Sequence, residues 1–113
     1  MTLPHPLSEP LVVQIAQRFR VLGEPMRIRI LDHLRDGETS VQELTASLGA
    51  TQQNVSKHLG LLHAAGVVSR RRAGTRVLYS IADESVFDLC ETVCGGLRRQ
   101  VAELDDLLAG AVP

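Results

Sequence analysis

Apolar residues recur every three or four positions along most of this chain and shift to alternation once, between residues 67 and 82. The longer interval belongs to one buried face of a helix, the shorter to a strand. Leu11, Val12, Ile15, Ala16, Phe19 and Leu22 define a first helix, with Ser8 and Glu9 before it and Gly23 closing it. Pro25 opens a second helix, at a position where the missing N–H costs nothing. Ile28, Leu31 and Leu34 mark its inner face, Arg27, Arg29 and Arg35 its outer one, and Asp36-Gly37 stops it. Residues 1–10 hold three of the five prolines and His5, and read as a mobile arm before a single domain over 11–113.

The stretch TSVQELTASLGATQQNVSKHLGLLHAAG reads as two further helices around a tight turn. Ser40 and Glu43 have the S-x-x-E spacing of a capping box. Val41, Leu44 and Leu48 follow on one face, and Gly49 is the residue best able to end a helix in the left-handed conformation. Thr51 is an N-cap for the next helix. There Val55, Leu59, Leu62 and Ala65 make the buried side, while Gln52, Gln53, Asn54, Ser56, Lys57 and His58 crowd the first two turns of the other. Amides pair with adenine edges, and lysine reaches phosphate or guanine. An isolated polar face is usually just solvated. A capped helix and a glycine turn directly before it favour a recognition helix in a major groove.

The alternating segment VVSRRRAGTRVLYSI places β-branched residues on both sides of Ala73-Gly74, the pattern of a hairpin. Arg70, Arg71, Arg72 and Arg76 surround its turn and suit phosphate or minor-groove contact. The plain alternative is an edge hairpin guarded by charge. From 83 to 108 the helical period returns. Cys90, Cys94, Leu97, Val101, Leu104 and Leu108 step as a heptad seam that needs a partner helix. This dimerisation helix, aided by Leu11 and Ile15 of the first helix, predicts a two-fold dimer with two recognition helices roughly one duplex turn apart. The fold class is mainly α with a small β-hairpin, in the order α-α-α-α-β-β-α, dimeric through the terminal helices.

Composition adjusts this picture at three points. A net charge of −1 over 113 residues argues at first against nucleic acid. Between Leu44 and Ala82, however, there is no Asp or Glu, while Lys57, Arg70, Arg71, Arg72 and Arg76 all fall there. That local excess is an electrostatic footprint which the whole-chain charge conceals. With 3% aromatic residues the core must be aliphatic, and a chain this short gains from a dimer. The absence of a basic leader or a long apolar run points to a soluble cytoplasmic protein with reduced cysteines.

The order of elements, and the stretches FRVLGEPMRIRILDHLRDGE, VQELTASLGATQQNVSKHLGLLHAAGVVSRRRAGTRVLYSI and the terminal helix, resemble the ArsR/SmtB family of dimeric winged-helix transcription regulators. The resemblance covers nearly the whole chain. It implies binding of palindromic operators by Ser40, Gln52, Gln53, Asn54, Ser56, Lys57, His58 and the four hairpin arginines, with release when a metal or metalloid ion binds. The ligand motifs depart from the family pattern. The third helix has VQELTASLG where thiolate sensors carry an ELCVC-like motif. On the terminal helix Asp83 matches one ligand, but Ser85, Gly96 and Arg99 stand at the other three.

Two effector sites remain to consider. Cys90 and Cys94, at i and i+4, can share a thiophilic ion such as As(III), with a third ligand from elsewhere. Against this, cysteine in an apolar seam behaves as a small hydrophobe. Alternatively His5 joins carboxylates at Asp83, Glu84, Asp88 and Glu91 in a site suited to Ni, Co or Zn. His33 and His63 read as surface residues. A redox- or partner-controlled regulator and a protein-interaction module are the competing function classes. An enzyme is disfavoured, since there is no phosphate loop, nucleophile elbow or histidine pair.

Overall fold

A computed structural model describes residues 2–110, which fall into two units, one reaching Ala82 and one starting at Asp83. The first holds helices α1 (Glu9–Leu22), α2 (Pro25–Leu34), α3 (Val41–Leu48) and α4 (Gln52–Ala64), and strands β1 (Thr39–Ser40), β2 (Val68–Ala73) and β3 (Arg76–Ile81). The second is the helix α5 (Ser85–Leu108).

Helix α1 starts two residues before the expected Leu11, because Ser8 caps it and Pro10 is tolerated in its first turn. The inner face of α2 is also rotated from expectation. Ile28 is 47% exposed, whereas Ile30, Leu31 and Leu34 are buried. These three continue an i, i+3, i+4, i+7 stripe that begins at Arg27, so the stripe includes a charged residue that hydrophobicity alone skips. Glu24 caps this helix, its carboxylate accepting from the Arg27 backbone N–H at 3.0 Å.

Beyond the expected hairpin, β1 adds a third strand. The sheet order is β1-β3-β2, antiparallel throughout, with Thr39 opposite Tyr79 and Ser40 opposite Leu78. Two residues cannot show a period, so this strand is invisible to pattern. The hairpin itself closes at Gly74-Thr75, with Ala73 opposite Arg76 and Gly74 at φ 65°. Gly49, at φ 62°, turns the chain from α3 to α4. Ile30, Leu31, Leu34, Leu44, Val55, Leu59, Leu62, Val67, Val68 and Tyr79 form the buried core of this unit. It is nearly all aliphatic, as the composition requires.

Candidate nucleic-acid interface

Helix α4 begins with Thr51, whose hydroxyl accepts from the Asn54 N–H at 3.1 Å. Val55, Leu59 and Leu62, fully buried, fix which side of the helix faces inward. Gln52, Gln53, Ser56 and Lys57 are left exposed on the other side, and Asn54 is half-buried. Gly60 lies on this exposed side with open space where a Cβ would stand. The helix carries no acid, so its outer face is polar with a single positive charge.

Two of the expected contact residues are not on that face. His58 is 7% exposed, and its Nδ1 lies 3.1 Å from Arg27 Nη1. Arginine has only N–H donors, so within this contact the ring nitrogen is the acceptor. The reason is phase: position 58 follows Val55 by three residues and adjoins Leu59 on the inward stripe. Ser40 is fully buried, its hydroxyl accepting from the Glu43 N–H at 3.2 Å. It serves the fold as a cap, with its side chain turned inward. Only this half of the capping box forms, because the Glu43 carboxylate instead accepts from Thr39 Oγ1 at 2.7 Å and pairs with Arg76.

Arg27, which sequence pattern places outward, is the anchor of α4. Its Nε donates to the Val21 carbonyl at 2.6 Å and its Nη2 to the Arg20 carbonyl at 3.3 Å, while Nη1 reaches His58. Glu24 Oε2 lies 3.8 Å from the same imidazole. Its pKa is held below the ordinary value, chiefly by the hydrogen bond from the Arg27 backbone N–H. At the far end of α4, Arg18 of α1 donates to the Ala65 carbonyl at 2.6 Å. These links span 31 and 47 positions, and no local signal in the chain announces them.

The hairpin divides its arginines by alternation. Val68, Arg70 and Arg72 share one face, with Val77, Tyr79 and Ile81 opposite them; Ser69, Arg71 and Ala73 share the other with Ser80, Leu78 and Arg76. On the second face both arginines are engaged. Arg71 forms a bidentate pair with Glu38, Nε and Nη2 each 2.7 Å from a carboxylate oxygen. Arg76 pairs with Glu43. The Arg71 hydrogen bond holds Glu38 below the ordinary carboxylate range and raises Arg71 in turn. Glu43 is lowered chiefly by the Thr39 hydroxyl, then by Arg76. Arg70 and Arg72 are exposed, and among the described residues no acid pairs with them.

In the second unit, Cys90, Cys94, Leu97, Val101, Leu104 and Leu108 are all exposed along α5, joined by Val93 and Leu107. An apolar stripe of this length on one helix marks an interaction surface. In α1, Leu11 and Ile15 are half-buried, while Val12, Val13 and Phe19 are exposed. Asp83 accepts from both the N–H and the hydroxyl of Ser85, which start α5. His5 is exposed. Among the described residues no three His, Cys, Asp or Glu side chains converge as metal ligands.

A family described as a helix-turn-helix domain matches residues 22–71. The chain is 43% identical over 108 residues to an uncharacterised HTH-type transcriptional regulator, Rv0081, of Mycobacterium tuberculosis, covering 91% of this chain and 95% of the relative. The crystal structure of Rv0081 superposes with a TM-score of 0.76 at 39% identity, over 85% of this chain and 97% of that one. A homodimeric winged helix-turn-helix DNA-binding domain from Mycobacterium bovis, described as a possible ArsR-family transcriptional regulator and solved by NMR, superposes with a TM-score of 0.71 at 30% identity, over 88% and 95%. The HTH-type transcriptional repressor SmtB of Mycobacterium tuberculosis is 40% identical over 82 residues, covering 73% of this chain and 61% of that protein.

Proposed function

This chain belongs to the ArsR/SmtB family of winged helix-turn-helix transcriptional regulators, and we propose that it acts as a homodimer that reads an operator through α4 and grips the backbone through the hairpin. The carrying observation is the outer face of α4: Gln52, Gln53, Ser56 and Lys57 exposed on an acid-free helix whose opposite side is locked into the core. The amides and the serine can read base edges, and Lys57 can neutralise a phosphate. Half-buried Asn54 is a peripheral contact at the helix start. Arg70 and Arg72 are the hairpin cations available to phosphate or to a narrow minor groove. The exposed stripe of α5 is the surface for the second copy. A two-fold pair suits half-sites roughly 34–36 Å apart.

No helix among the described residues is long and apolar enough to cross a membrane. A regulator of this kind works beside the chromosome, and we place it in the cytoplasm, as a binding protein without catalytic machinery. The residues here do not fit a family-type metal site within one chain. Ser85, Gly96 and Arg99 replace three ligands, and Asp83 is turned to its own helix start. Cys90 and Cys94 offer two thiols, and among the described residues no third ligand joins them. We therefore read control of DNA binding as independent of a nickel, zinc or cobalt site on α5.

Fluorescence anisotropy with a duplex from upstream of the protein's own gene tests the reading. Sequence-selective binding that weakens with salt supports it. Binding indifferent to sequence and salt, or none, removes it and favours a protein-docking module.

A further inference from the structure

We propose that Glu38 and Glu43 stand in for phosphate on the wing, holding Arg71 and Arg76 out of DNA contact so that only Arg70 and Arg72 count toward the duplex.

The inference rests on the DNA-binding reading and refines it. Four arginines within seven residues look like one basic cluster. The strand alternation splits them two and two, and the two carboxylates lie on one side only. The Arg71–Glu38 fork uses both oxygens and two guanidinium nitrogens, the same geometry with which arginine binds a phosphate. An arginine so engaged is a poor phosphate ligand until its acid is displaced. Glu43 does more than neutralise. It grips Thr39 at the start of β1 and Arg76 at the start of β3 while sitting in the first turn of α3. One carboxylate thereby ties the turn end of β3 and the start of β1 to the first turn of α3. The acids sit just outside the acid-free block that the sequence shows between Leu44 and Ala82, which is why the block looks more basic than it is.

Salt dependence counts phosphate contacts directly, at a slope of about 0.9 per contact in log affinity against log salt. The experiment uses the full chain, a generic duplex of random sequence, and anisotropy across a potassium chloride series. Arg72→Gln should flatten the slope by about 0.9 per protomer, and Arg71→Gln should leave it near the wild-type value. Glu38→Gln should free Arg71 and steepen the slope by about 0.9 per protomer. The double variant Glu38→Gln/Arg71→Gln should return to the wild-type slope. A purely structural role for Glu38 predicts no such reversal. The inference is overturned if Arg71→Gln flattens the slope as much as Arg72→Gln, or if Glu38→Gln leaves it unchanged in a protein whose melting curve is intact. A wild-type protein with no salt-sensitive duplex binding would instead defeat the DNA-binding reading itself.

Discussion

Arg27 and His58, 31 residues apart, meet at 3.1 Å between Nη1 and Nδ1, and through this contact α2 sets the seat of α4. The guanidinium also closes the α1–α2 corner through the Val21 and Arg20 carbonyls. Removing the imidazole strands one donor of a half-buried arginine, a loss of about 1–3 kcal/mol. His58→Ala should therefore lower the unfolding free energy from urea titration by about that much. Its effect on duplex affinity at full folding should be small, and the salt slope should not change. A flattened slope with unaltered stability would return His58 to the DNA side.

Gly60 is the one glycine inside α4, on its outer face, with no heavy atom within 4 Å of an added Cβ. Glycine in a helix interior costs about 0.5–1 kcal/mol relative to alanine. Gly60→Ala should therefore stabilise the fold by about that much in urea titration. If α4 lies in a groove, the new methyl should also weaken operator binding. Opposite signs for stability and affinity are the expected result; a gain in both would place Gly60 away from the duplex.

What was legible in the chain followed the physics of repetition. The four helices of the first unit, the α5 helix and the hairpin all repeat a local spacing over many residues, and Gly49, Thr51 and Pro25 mark their ends with local chemistry. The strand β1 was not legible, because two residues have no period. Nor were the partners of the charged residues. Arg27 looks like a surface cation until the fold brings Val21 and His58 to it. Arg71 and Arg76 look like phosphate ligands until β1 and α3 bring Glu38 and Glu43. Counting charge along a chain misses neutralisation across 33 positions.

Acid should destabilise the protein through three glutamates. Glu24, Glu38 and Glu43 all titrate below the ordinary 4.5 when folded. Between the folded value and 4.5 the unfolded chain binds more protons, so acid favours unfolding. The stabilising contribution is present above about pH 4.5 and disappears as pH falls through the folded values. Glu24→Gln and Glu38→Gln should each flatten the acid limb of a stability–pH profile. A change confined to neutral pH would contradict the assignment.

The thiols at Cys90 and Cys94 are exposed, and among the described residues no third ligand joins them. Cys90→Ser and Cys94→Ser should bind duplex as the wild type does, and zinc, nickel or cobalt should leave wild-type affinity unchanged. Release of DNA by zinc or As(III), lost in both serine variants, would show instead that two copies complete a thiolate site.

The seam of α5 carries the last prediction. Leu97 and Val101 are 56% and 59% exposed on a helix whose polar faces need no partner. Burying apolar surface yields about 25 cal/mol per Å², so a stripe of this length favours a second copy strongly. A carboxylate placed in its middle would have to be desolvated without a counter-charge. Leu97→Glu should therefore shift the sedimentation coefficient to that of a monomer. Because a dimer grips two half-sites at once, the same variant should lose far more affinity for a full palindrome than for a single half-site. Equal losses on both duplexes would mean that the second copy is not joined through α5.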